Sequence, residues 1–173
     1  MKRPRKAKKS RRLKVIRLWN YPEATRATPY LRSVLTSLRE DYLDSLKQRL
    51  EIERHSAGKP DRASLIAVDE ARKELNRAET AFHDSHSELR DIDVFLLDPL
   101  EGVALIPCQK DEELAWMVFE NHDPDGFVAW RWHKDDFTIR RPLKDLASEP
   151  LKGDVVEEAS VPPGDLPPPI AEA

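Results

Sequence analysis

The stretch Phe127-Val128-Ala129-Trp130-Arg131-Trp132-His133 sets two tryptophans, an arginine and a histidine side by side, and Arg140 and Arg141 follow shortly after. Arginine offers a planar fork of N–H donors that matches a carboxylate or phosphate. Histidine adds a donor, an acceptor or a proton near neutral pH. Arg131, His133, Arg140 and Arg141 therefore form the leading candidate site for a small anion. Glu120, at the end of the preceding apolar run, is the acid expected to pair with Arg131 or to orient His133. Side chains alternate along a strand. Val128, Trp130 and Trp132 are then expected on one face, and Phe127, Ala129, Arg131 and His133 on the other. The preferred reading has the tryptophans packed in a core against the helices, with Arg131 and His133 on the outer face.

Three further groups invite a chemical reading. Glu79, His83 and His86 stand at i, i+4 and i+7, a spacing that puts three N/O ligands on one helical face and makes them candidates for a divalent metal. No His-Glu-x-x-His signature accompanies them, so the signal is weak, and His86, four residues after Phe82, reads rather as a flank of the core stripe. Cys108 is the single cysteine, so an intramolecular disulfide is excluded and the thiol reads as a small core residue. Lys2, Arg3, Arg5, Lys6, Lys8, Lys9, Arg11 and Arg12 make a cationic arm that could neutralise nucleic-acid phosphates without sequence selectivity, or simply solubilise the chain. No aromatic residue is interleaved with those cations, so base stacking is not encoded. There is no glycine-rich phosphate loop and no Gly-x-Ser-x-Gly elbow, and nothing in the sequence calls for a cofactor.

These residues must be held by recognisable elements. Residues 13–19 alternate well enough for a short strand. Asn20 can cap a helix, with Glu23 three residues on as in a capping box. Pro29 either kinks that helix or opens a new one capped by Thr28. Leu31, Val34, Leu35, Leu38, Tyr42, Leu46 and Leu50 then recur at helical spacing. Gly58, Lys59, Pro60 and Asp61 supply a stop, a turn and a new cap. A second helix carries Leu65, Val68, Ala71, Leu75, Ala78, Phe82, Ser85, Leu89 and Ile92. The two helices, about 25–30 residues each, predict a long antiparallel helical hairpin over about 22–92.

After the hairpin the apolar period changes to two. Val94–Leu97, Val103–Cys108, Leu114–Glu120 and 127–133 are separated by turn residues, of which Asn121 to Gly126 are the strongest. The last three predict an antiparallel β-meander of three strands within about 94–143, or four if residues 13–19 join. The fold class is thus α+β: a helical hairpin over one face of a small antiparallel sheet, in a single domain at 13–147. Ahead of it lies a disordered basic arm at 1–12. Behind it lies an acidic, proline-rich, disordered tail at 148–173.

The net charge of −3 averages two unlike objects. The first 22 residues hold ten cations and no acid, and the rest of the chain holds 19 basic against 32 acidic residues. No apolar run approaches the ~20 residues of a membrane span. Together with the lone thiol, this predicts a cytosolic protein.

The order of features resembles an uncharacterised bacterial family, catalogued as domain of unknown function 2203. The resemblance rests on Pro22-Glu23-Ala24 with Pro29, on Gly102-Val103-Ala104-Leu105-Ile106-Pro107, on Trp132-His133, and on Phe137 with Arg140-Arg141-Pro142-Leu143. It spans roughly residues 15–145. Two departures stand out. An apolar residue near Leu105 replaces the family's acid, and Val118-Phe119-Glu120-Asn121 replaces its Cys-Trp and Gly-Glu steps. The resemblance implies the fold and no established activity. The expectation for function is a non-enzymatic interaction or scaffold domain that engages a protein partner or a second copy through its long helices. The alternatives are the anion site and the cationic arm.

Overall fold

The computed structural model describes residues 15–57 and 61–146. The basic arm and the acidic tail lie outside the described residues, as do Gly58, Lys59 and Pro60. Among the described residues, three α-helices precede four strands: α1 (Tyr21–Arg26), α2 (Thr28–Ser56), α3 (Arg62–Asp91), β1 (Phe95–Asp98), β2 (Val103–Lys110), β3 (Glu113–Glu120) and β4 (Phe127–Trp132). The strands form one antiparallel sheet in chain order, and a short 3-10 turn, Leu143–Asp145, follows.

Capping chemistry explains the helix starts. Asn20 Oδ1 accepts the Glu23 N–H at 2.8 Å, and Asp61 Oδ1 accepts the Ser64 N–H at 2.8 Å. Both bonds satisfy amides that have no partner inside the helix. The capping box is not completed, because the Glu23 carboxylate pairs with Arg17. Pro29 opens a new helix, as one alternative required. The cap position is Ala27, however, and the Thr28 hydroxyl is buried without a hydrogen-bond partner.

α2 and α3 run antiparallel along a seam of 3.5-residue period. Leu31, Leu35, Leu38, Tyr42, Ser45, Arg49 and Ile52 face Ser64, Val68, Ala71, Leu75, Ala78, Phe82, Ser85 and Leu89, and each is buried or half-buried. Steps alternating between three and four residues are those of a coiled coil. The Tyr42 and Phe82 rings meet at 5.9 Å and Arg49 pairs with Glu79 at 2.8 Å across the seam. The expected stripe is corrected at its far end. Leu46 is only half-buried, Leu50 is 61% exposed and Leu65 is 56% exposed. A seam in steps of 3.5 runs through Ser45 and Arg49, leaving Leu46 and Leu50 to one side.

Only half of the hairpin meets the sheet. Leu31, Val34, Leu35, Leu38 and Leu89 pack with Leu96, Ile106, Met117, Phe119, Phe127 and Trp130 in one core. Val68, Ala71 and Ala78 are buried but belong to no part of that core. A second apolar layer lies on the opposite face of the sheet, formed by Ile16, Leu18, Phe95, Leu105, Leu114, Trp116, Val118 and Ala129. Burial on both faces explains why β2 and β3 read as continuous apolar runs.

Residues 15–19 are extended but form no strand, so β1, not this segment, is the fourth strand. β1 pairs with β2 only as far as Leu105. Trp19 donates to the Pro107 carbonyl at 2.8 Å on the edge left open. A proline has no N–H to return, so the ladder cannot grow there. Alternation still holds in this segment: Ile16 and Leu18 enter the outer layer and Trp19 enters the helix-side core.

Candidate functional site

β4 carries the residues singled out for anion binding, and one irregularity decides which way they point. Val118 pairs with Ala129 and Phe119 with Phe127, so Val128 is an extra residue in a β-bulge. The bulge reverses the alternation once. Trp130 and Trp132 face the helices as expected, and Phe127 joins them there, whereas Val128 lies with Ala129 on the outer face. Phe127 and Val128 are thus opposite to the simple alternation. Gly126, at φ +80°, precedes the bulge. A Cβ there would stand 2.5 Å from the Phe119 ring, so the turn requires glycine.

Arg131 is 3% exposed. Its Nη1 donates to the Asp135 carbonyl at 2.7 Å, and its guanidinium lies 4.4 Å from the Phe137 ring centroid. Its Nε is buried without a hydrogen-bond partner. Burial lowers its pKa, the neighbouring Arg140 adds to this, and Asp135 and Asp136 oppose it. His133 Nδ1 accepts the Trp116 indole N–H at 3.0 Å, which places the proton of the neutral ring on Nε2. Arg131 and His133 therefore share the outer side, as expected.

The other members of the set are engaged elsewhere. Arg141 grips the Asp135 carboxylate in a fork, with Nε–Oδ2 at 3.1 Å and Nη2 at 3.2 and 3.0 Å from the two oxygens. Its backbone exchanges both hydrogen bonds with Trp130, at 3.0 and 2.8 Å. Arg140 donates to the Phe137 carbonyl at 2.6 Å and stands 3.8 Å from Glu120. Glu120 pairs with Arg140, not with Arg131 or His133. The four cations thus do not converge on one open rim.

Sequence reasoning passed over Asp135, which organises this cluster. Its carboxylate accepts the Trp132 N–H at 2.9 Å as well as the Arg141 fork, and its carbonyl accepts from Arg131. The Trp132 N–H, then Arg141 and Arg131, hold its carboxyl below the usual range. The signal for it was an aspartate pair just after a strand. Asp136 likewise takes the Thr138 N–H at 3.0 Å in a local turn. The segment from Asp135 to Leu146 is in effect a strap tied to the edge of β4, with Trp130 Nε1 bonded to the Pro142 carbonyl at 3.1 Å and Leu146 buried in the core.

The metal candidates part company. Glu79 is paired with Arg49, His83 is exposed, and His86 is buried against Phe82 with its Nε2 lacking a partner. Burial, then Arg90 and His83, lower the His86 pKa. Among the described residues, no group of three or more His, Cys, Asp or Glu is placed to hold a metal ion. Cys108 is buried and its thiol is pushed up to about 12 by desolvation, as suits a core residue. The arm residues Lys2, Arg3, Arg5, Lys6, Lys8, Lys9, Arg11 and Arg12 lie outside the described residues. No helix among the described residues is long and apolar enough to cross a membrane.

Comparison with known proteins supplies no relative: no family model, no curated protein and no solved structure matches the chain.

Proposed function

We propose that this is a non-enzymatic interaction domain whose helical hairpin is the docking element, as an arm held by the sheet. The observation that carries this reading is the half of α2 and α3 that leaves the sheet with Leu43, Leu50, Leu65 and Ile66 in solvent. Large apolar side chains grouped on one projecting element are a feature of protein contact surfaces. The arginines of the β4 cluster are spent on internal partners, which favours a structural role for them. A photoreactive side chain at Leu50 of the full chain should cross-link to another polypeptide. One at Thr80, an exposed position on α3, should not. Equal yields at the two positions would overturn the reading.

A second reading rests on Arg131 alone. It is a buried cation with an unpartnered Nε, and the Asp135 carboxylate is turned to Arg141. A small oxyanion that displaced Phe137 would reach Arg131 and His133. Thermal melting in sulfate against chloride at equal ionic strength tests this. Sulfate stabilises folded chains in general, so the native chain should gain more stability in it than an Arg131→Met variant does. An equal response from both removes the anion site.

A further inference from the structure

The geometry points to a second copy of this chain as the occupant of the exposed arm, packed antiparallel about a two-fold axis at Leu46. This rests on the interaction reading above and names its partner. The face concerned follows from the spacing along α2. Arg32 donates to the carbonyls of Asp123 and Pro124, Thr36 accepts from Asn121, and Arg39 donates to the carbonyl of Leu100, so this stripe faces the turns of the sheet. Steps of four and three carry the same stripe on to Leu43, Leu46 and Leu50. The seam with α3 holds a 3.5 period, so the stripe keeps its angle to α3. Beyond Arg39 no hydrogen bond links α2 to the sheet among the described residues. Leu43 is 37% exposed and Leu50 more so, and Leu100 is exposed at the adjoining turn.

The stripe is self-complementary when reversed. Antiparallel packing sets Leu46 against the partner's Leu46, Leu43 against the partner's Leu50, and Arg39 against the partner's Glu53. Each contact then occurs twice, as a two-fold interface requires. Arg39 and Glu53 form no ion pair among the described residues: Arg39 is bonded to the carbonyl of Leu100 and Glu53 is exposed. Opposite charges at the two ends of an apolar centre are a pattern that a reversed second copy pairs twice. The stretch paired about Leu46, Arg39–Glu53, is roughly 20 Å long at ~1.5 Å per residue. Two helices side by side give a comparable width. That face, about 400 Å² per copy, lies below the ~1,000 Å² total of a stable specific interface, so the dimer is weak and reversible.

Sedimentation of the full chain across a concentration series tests the proposal. A monomer–dimer equilibrium is expected. Leu46→Glu should raise the half-association concentration by about tenfold or more. Leu50→Glu should do the same at a position too exposed to disturb folding, which circular dichroism checks. Arg39→Glu and Glu53→Arg should each weaken dimerisation several-fold, and their combination should restore it. A chain that stays monomeric to about 100 µM overturns the proposal. So does a dimer indifferent to Leu46→Glu and Leu50→Glu, or a double reversal that restores nothing. Cross-links from Leu50 to other polypeptides only would remove the self-association and leave the interaction reading standing.

Discussion

Residue chemistry here is mostly spent on holding the fold. Asp135 collects a backbone amide and two arginines, and without its charge the strap loses its anchor. Asp135→Asn should raise amide exchange from Asp135 to Leu146 by about tenfold and leave β2 and β3 protected, since strap and sheet open separately. His86 gives a pH prediction. Its folded pKa lies below that of the unfolded chain because burial, Arg90 and His83 disfavour the cation. The neutral form is the one that fits. Stability is therefore complete above about pH 6.5 and falls as pH drops through the interval down to the folded pKa, by at most about 1.4 kcal/mol per pH unit. Urea denaturation between about pH 5 and 7 should show this slope, and His86→Leu should reduce it.

At the scale of single elements, caps and turns set the joints. Asn20→Ala removes the acceptor of the Glu23 N–H and should cost about 1 kcal/mol by chemical denaturation. The β2–β3 hairpin turns on Asp111 and Glu112, at φ +47° and +66°. Both central residues of this two-residue loop are left-handed, as a primed turn demands. Replacing the pair by Asn-Gly should stabilise the chain by about 1 kcal/mol, because neither newcomer pays as much for that backbone. Much of this level was legible beforehand. Asn20 and Asp61 as caps, the Asn121–Gly126 turn and the runs of β2, β3 and β4 follow from local preference, whereas the fourth strand, expected at residues 13–19, is β1. The bulge at Val128 was not legible, because an extra residue leaves no mark in an alternation read one strand at a time. It becomes visible only against the register of β3.

Across the whole molecule, the hairpin has two halves that are buried differently. One is buried on the sheet and the other is packed only on itself. Leu38→Ala, at a fully buried position in the shared core, should cost about 2–5 kcal/mol. Leu50→Ala should leave stability within about 0.5 kcal/mol and act instead on association. Equal costs would mean that the arm is part of the cooperative core.

The sequence by itself determined the α+β class, the two long helices, the order of β2, β3 and β4 and the inward face of Trp130 and Trp132. These rest on periodicity and local turn chemistry, which a linear reading contains. Tertiary structure alone decided where the sheet stops along the hairpin, because helices of matched period say nothing of how far a third layer extends over them. It also decided the fate of the cations. Arg141 went to Asp135 and Arg140 to Glu120 because the strap folds back on the edge of β4, a proximity that no spacing along the chain encodes. Arg141 and Arg140 thus fasten the strap, while the outer half of the hairpin keeps Leu43, Leu50, Leu65 and Ile66 in solvent.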